Sequence, residues 1–205
     1  LTGDTIEFVD IAGLVAGASR GEGLGNKFLA HIREMDALVH VVRLFEDSDV
    51  INPLGSIDPL RDIDIIDTEL MLADLQAIEK RRERTTRMLK TGEARYKEEL
   101  ELLDAYQAEL EAGIPLRRTD LEPIYELPLL SSKPIMYVAN VEEGSQELHP
   151  ALVVRAEEEG AEVIAVSAAF EMELSQLEPE EAELFLADAG MEKPALHRLV
   201  EAGLR

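Results

Sequence analysis

Asp10 and Gly13 are the first residues in this chain whose types and spacing could do chemistry. A short apolar run (Ile6, Phe8, Val9) ends in Asp10-Ile11-Ala12-Gly13, and four more glycines follow at Gly17, Gly21, Gly23 and Gly25. A carboxylate at a strand end can hold magnesium through a water. A glycine three residues later lets a backbone amide approach a terminal phosphate, because no Cβ stands in the way. Taken alone, Asp-x-x-Gly reads as an ordinary strand-end turn. Two more positions share the pattern: Asn140 follows the apolar run Pro134 to Ala139, and Ser167-Ala168 follows Glu162 to Val166. Ligands in open parallel sheets bind beyond the carboxyl ends of the strands. Asp10, Asn140 and Ser167 are therefore expected to face one crevice, although Asn140 alone reads as an Asx turn and Ser167 alone as a short turn before a helix.

The elements that must position these residues are readable from periodicity. Thr5 to Val9 predicts a strand, and Leu24 to Met35 a helix with Phe28, Leu29 and Ile32 on one face. Ala37 to Val42 predicts a buried parallel strand holding His40, read as a core histidine. From Asp62 to about Lys90 a long helix carries Ile63, Ile66, Leu70, Ala73 and Ala77 in one stripe. Thr91-Gly92 turns the chain, and a second helix presents Tyr96, Leu100, Leu103, Tyr106 and Leu110 before ending at Gly113-Ile114-Pro115. Two long helices joined by a tight turn make an antiparallel hairpin. A connector from Leu116 to Ser132 precedes the strand that ends at Asn140. A helix at Leu152 to Glu159, the strand before Ser167, and helices at Pro179 to Ala189 and Lys193 to Ala202 complete the chain. Strand–helix alternation around an inserted hairpin predicts an α/β fold with a mostly parallel sheet.

Composition excludes several classes. The chain has 205 residues, 46% of them apolar, enough for one α/β domain with an insertion. Zero cysteines exclude disulfides and thiolate metal sites and fit a cytoplasmic protein. No apolar run approaches the roughly 18 residues of a membrane span. Four scattered histidines offer no metal cluster, and no Ser-His-acid arrangement is readable. A net charge of −23 argues against general affinity for nucleic acid, and nothing predicts DNA sequence readout. The charge is unevenly spread, however. Lys80, Arg81, Arg82, Arg84, Arg87, Lys90, Arg95 and Lys97 face only Glu83 and Glu93 between positions 80 and 97. This basic run falls at the hairpin tip, where it could meet RNA phosphates or form a solvated helix face with i,i+4 pairs.

The segments FVDIAGLVAGASRGEGLGNKFLAHIRE, HVVRLFEDSDVI, DTELMLADL, KPIMYVANVEE and VSAAFEMEL together closely resemble the YchF/Obg-like ATPase family, a branch of the Obg-related P-loop nucleotidases. The resemblance covers most of the chain. It implies a Ras-like α/β nucleotide domain with an inserted helical hairpin, preference for ATP over GTP, and association with ribosomes. It also implies a preceding GxxxxGK[ST] loop and a following TGS domain, so the chain reads as a fragment. Residues 1–57 are then the first part of the nucleotide-binding domain, 58–115 the hairpin and 116–205 the second part.

On that resemblance Asp10 serves magnesium and Gly13 meets the γ-phosphate. Asn140-Val141-Glu142-Glu143 stands where Ras-like GTPases carry Asn-Lys-x-Asp. Glu143 replaces the shorter carboxylate that would accept the guanine N1–H and amine, which leaves less reason to exclude adenine. Val141 is expected near the base and Ser167-Ala168 in the last base-side loop. Leu14 occupies the place where many relatives put a water-orienting glutamine, and it cannot hydrogen-bond a water. Asn52 stands where the family uses a histidine, which predicts slow turnover raised by a partner. The tip residues Lys80, Arg81, Arg84, Arg87 and Lys90 are the expected ribosome contacts. Three functions stay open: an ATPase switch, an Obg-like GTPase, and a non-catalytic ribosome- or RNA-binding module, which the chain without a phosphate-binding loop would resemble.

Overall fold

A computed structural model of the chain describes residues 6–11, 24–45 and 57–203. The chain divides into two compact units, one of Leu1–Val9, Val39–Asp62 and Ile135–Arg205, the other of Asp10–Leu38 and Ile63–Pro134.

The first unit is built on three strands, β1 (Leu38–Arg43), β2 (Ile135–Asn140) and β3 (Val163–Val166), in the order β1-β2-β3. β2 and β3 are parallel, with Tyr137 opposite Val163 and Asn140 opposite Val166. The Leu38 N–H donates to Pro134 C=O at 2.9 Å and the Leu44 N–H to Asn140 C=O at 2.8 Å. Both partners advance by the same amount, so β1 is parallel to β2 as well. The central strand β2 is buried at Tyr137, Val138 and Ala139, as expected where both faces are covered. The predicted burial of β1 is not borne out: Val39 and Val41 are 40% and 63% exposed, because among the described residues β1 pairs on one side only, with β2. Helices α4 (Pro150–Glu158) and α7 (Ala195–Gly203) contact β3. Between these helices lie α5 (Ala168–Leu174) and α6 (Pro179–Asp188), whose Phe170, Leu174 and Leu186 form a second small core with Phe170 and Phe185 stacked at 4.8 Å. The carboxylate of Glu171 accepts the Ala195 N–H at 2.8 Å, supplying an acceptor at the amino end of α7.

The second unit holds α1 (Leu24–Glu34), the helical hairpin and the connector after it. Helix α2 (Pro59–Met88) runs into a 3-10 turn, Leu89–Thr91, and α3 (Ala94–Glu111) returns. Gly92 adopts φ +79°, the left-handed geometry that a side chain would strain. Arg82 of α2 meets Gln107 of α3 and Thr85, further along α2, meets Glu99, so the two helices run antiparallel. Met71 and Ile78 of α2 pack with Leu103, Tyr106 and Leu110 of α3 and with Leu116 and Leu129 of the connector. α3 ends at Glu111, and past the turn at Gly113 the Ile114 N–H reaches back to Glu109 C=O at 3.0 Å. The hairpin and its turn match the periodicity closely, because both signals are local.

One predicted strand is absent. Residues 6–9 join no strand, and Phe8 and Val9 are 46% and 47% exposed. An extended segment becomes a strand only by sharing a ladder with a neighbour, and no described residues offer one to this run. Ile6 lies close to the backbone of Gly203 instead. His40 is half-buried rather than enclosed, its ring tilted 5.9 Å from that of Tyr137. Among the described residues no helix is long and apolar enough to cross a membrane.

Candidate functional site

The parallel register of β2 and β3 brings two of the sequence-predicted positions together. Asn140 is the last residue of β2, directly opposite Val166, the last of β3. The Val141 N–H continues the ladder to Val166 C=O at 2.9 Å, which leaves the Asn140 side chain beside the start of the next loop. There its Oδ1 accepts the N–H of Ala168 at 3.2 Å. Ser167 is buried and caps α5, its Oγ accepting the Phe170 N–H at 3.4 Å. Val141 is buried, whereas Glu142 and Glu143 are exposed in the turn closed by the Ser145 N–H on Glu142 C=O. At the same end of β1, Arg43 lies over the Phe45 ring at 4.8 Å and donates from Nε to Phe45 C=O at 3.0 Å. The carboxyl ends of three parallel strands thus carry a half-buried amide, a helix-capping serine and a guanidinium.

Asp10 belongs to the other unit, and its side chain is exposed. The next residue, Ile11, packs on a core of Leu29 and Ile32 from α1 with Leu70 and Ala73 from α2 and Leu130 from the connector. Gly13, Leu14 and Asn52 lie outside the described residues. Among the described residues no three His, Cys, Asp or Glu side chains cluster to hold a metal. A magnesium ion held largely by phosphate and water needs only one or two protein carboxylates, and a single exposed Asp10 fits that demand.

The basic run divides into two groups. Arg81 forms a fork on Glu99, with Nε and a terminal nitrogen at 2.7 and 2.9 Å, and its side chain is 16% exposed. Lys80, Arg84, Arg87 and Lys90 are exposed. Of the five expected contact residues, Arg81 therefore holds the hairpin together, as Arg82 does through Asp104 and Gln107, while the other four present charge to solvent.

Sequence reasoning missed the carboxylates inside the hairpin base. Asp67 and Asp74 are both 1% exposed. Asp67 pairs with Arg117 at 2.6 Å, and Asp74 accepts the N–H groups of Leu130 and Ser131 at 2.7 and 2.8 Å. Burial pushes the Asp74 carboxyl above its ordinary range, against the pull of its hydrogen bonds from Ser131 and Leu130. The available signal was position: Ile63, Asp67, Leu70, Asp74 and Ala77 recur at alternating steps of four and three, so both acids occupy the inner stripe of the helix.

A parallel sheet whose carboxyl edge carries these loops, with a helical hairpin between its strands in sequence, is the Ras-like α/β fold of the P-loop nucleotidases. A family model described as a 50S ribosome-binding GTPase matches residues 1–72. Proteins named ribosome-binding ATPase YchF match nearly the whole chain. The one from Haemophilus ducreyi is 51% identical across 98% of this chain and 58% of its own length. That from Escherichia coli O157:H7 is 44% identical across 98% of this chain and 58% of its own. A solved structure, the Schizosaccharomyces pombe YchF GTPase, matches with a TM-score of 0.76 at 32% identity, covering 94% of this chain and 56% of that one. The chain belongs to the YchF family, and it spans a little over half the length of these relatives.

Proposed function

We propose that the protein is a ribosome-associated nucleotide switch that binds ATP in preference to GTP and hydrolyses it slowly with magnesium. The bond between Asn140 Oδ1 and the Ala168 N–H carries the base-side reading. Guanine offers O6 as an acceptor and needs donors facing it, whereas adenine offers an amine and needs an acceptor. The Ala168 amide is already engaged by Asn140, and Glu143 stands in place of the aspartate that would take the guanine N1–H. A backbone carbonyl at this rim would satisfy the adenine amine. Competition between ATP and GTP for the full-length protein tests the reading, and equal affinity would remove it. The GTPase named in the solved relative is the alternative that this competition would favour.

On the phosphate side Asp10 holds magnesium through a water and Gly13 meets the γ-phosphate. Leu14 cannot orient the attacking water, and Asn52 is a weaker base than histidine, so intrinsic turnover is slow. Asp10→Asn weakens magnesium-dependent hydrolysis with the fold intact, and unchanged turnover would contradict the assignment. Asn52→Ala slows turnover further; fast basal turnover that survives it excludes Asn52. Residues 1–57 and 116–205 act as the nucleotide-binding parts and 58–115 as the projecting hairpin. Lys80, Arg84, Arg87 and Lys90 are exposed near the hairpin turn and fit a contact with ribosomal RNA or protein in the cytoplasm.

A further inference from the structure

The connector after the hairpin holds one aromatic side chain out to solvent. Tyr125 is 83% exposed, yet the chain on either side of it is tied down. Ile124 and Leu127 pack on the hairpin core, and the Leu127 N–H closes a turn on Ile124 C=O at 3.1 Å. The Tyr106 hydroxyl of α3 donates to Glu122 C=O, and Pro123 and Pro128 bracket the turn and stiffen it. Within that turn Glu126 has φ +56°, the one non-glycine residue at positive φ among those described. A glycine would hold this geometry without strain, so the position keeps a carboxylate beside the tyrosine at a cost in stability.

The charge around the tyrosine is of one sign. Asp120, Glu122 and Glu126 are exposed, and positions 119–132 hold no lysine or arginine. Such a surface repels phosphates, whereas an arginine or lysine is drawn to its carboxylates and stacks on the tyrosine ring. An aromatic ring on a pinned backbone also loses little conformational freedom on binding. We propose that Tyr125 anchors a docking surface for a lysine- and arginine-rich segment of a ribosomal protein, on the flank of the hairpin and separate from the cations near its turn. Tyr125 stacks on one cation of that segment, and Glu122 and Glu126 receive its neighbours. The inference rests on the ribosome-associated reading above and adds to it a protein contact of opposite charge to the basic run.

The test uses the full-length protein and isolated ribosomes. Tyr125→Ala should weaken co-sedimentation by about tenfold or more, as loss of an anchor does. Its melting temperature should stay near that of the parent, because the ring is exposed. Glu126→Gly separates docking from folding: it should raise the melting temperature by relieving the strain and still weaken co-sedimentation by about threefold. The photo-reactive residue p-benzoylphenylalanine, introduced in place of Tyr125, should form an adduct with a ribosomal protein on irradiation. Parent-like co-sedimentation of Tyr125→Ala overturns the inference. So does an adduct confined to ribosomal RNA, which would make the tyrosine a base-stacking residue. If Tyr125→Ala lowers the melting temperature, the other two variants decide, and parent-like binding by Glu126→Gly or the absence of a protein adduct overturns the inference. A parent protein that fails to co-sediment removes the ribosome reading itself, and the inference with it.

Discussion

Asn140 and Ala168, 28 residues apart, are joined by one hydrogen bond from the Ala168 N–H to Asn140 Oδ1 at 3.2 Å. It ties the end of β2 to the start of α5, across the register that sets Asn140 against Val166. Removing the acceptor with Asn140→Ala costs about 0.5–1.5 kcal/mol of stability. The base-side loops lose their brace, so nucleotide affinity of the full-length protein should fall about tenfold or more, which corresponds to about 1.4 kcal/mol. Dialysis against ATP checks it, and parent-like affinity would mean that Asn140 is only a turn residue.

Arg117 and Asp67 form a buried pair, their side chains 4% and 2% exposed. Arg117→Met leaves a carboxylate without its cation in the hairpin base and should destabilise the protein by about 3–5 kcal/mol. Changing both, Arg117→Met with Asp67→Leu, should cost less than the single change. Denaturant unfolding of the two variants provides the comparison.

Glu99 and Asp74 give opposite pH dependences. The Arg81 guanidinium, with Thr85 as a second donor, holds the Glu99 carboxyl below its ordinary 4.5 despite partial burial. Its contribution is present above 4.5 and is lost as pH falls through the lowered value. Burial raises Asp74 above 3.8, so its contribution is full below 3.8 and is lost as pH rises through the raised value. On acidification the stability advantage of the parent over Glu99→Gln should shrink. Its standing relative to Asp74→Asn should improve as pH falls through the raised Asp74 value towards 3.8. Unfolding free energies measured across acidic pH would show both trends.

Arg84 and Arg81 sit three residues apart on one helix with different tasks. Arg84→Glu with Arg87→Glu should weaken ribosome co-sedimentation and flatten its salt dependence, by roughly one unit of log–log slope per lost phosphate contact, with the melting temperature near that of the parent. Arg81→Glu should instead lower the melting temperature, because it sets two carboxylates against each other where Arg81 now forks onto Glu99. Co-sedimentation that ignores the Arg84 and Arg87 changes would count against a hairpin contact with RNA.

The hairpin was legible because helices and turns are decided within a few residues. The stripe from Ile63 to Ala77, the turn at Gly92 and the face from Leu103 to Leu110 stand close to where periodicity puts them. The run from Ile6 to Val9 predicts a strand that the structure does not form, because a strand depends on a neighbour that is often distant in sequence, and an apolar pattern does not say whether one is there. Ser167 reads as a turn before a helix, but the extent of α5 is not legible, because seven residues are too few for a convincing period.

By itself the sequence determined the local elements and the residue types at the strand ends, including Asn140, Ser167 and Asp10, since propensity and patterning act over short distances. Only the tertiary structure decided which of those residues touch and which charges are engaged. It bonded Asn140 to Ala168, closed Arg81 on Glu99, buried Asp67 and Asp74 under the connector, and set Ile11 in a core with α1 and α2. Those pairings depend on register and packing between segments far apart in the chain, which residue spacing along one segment does not encode.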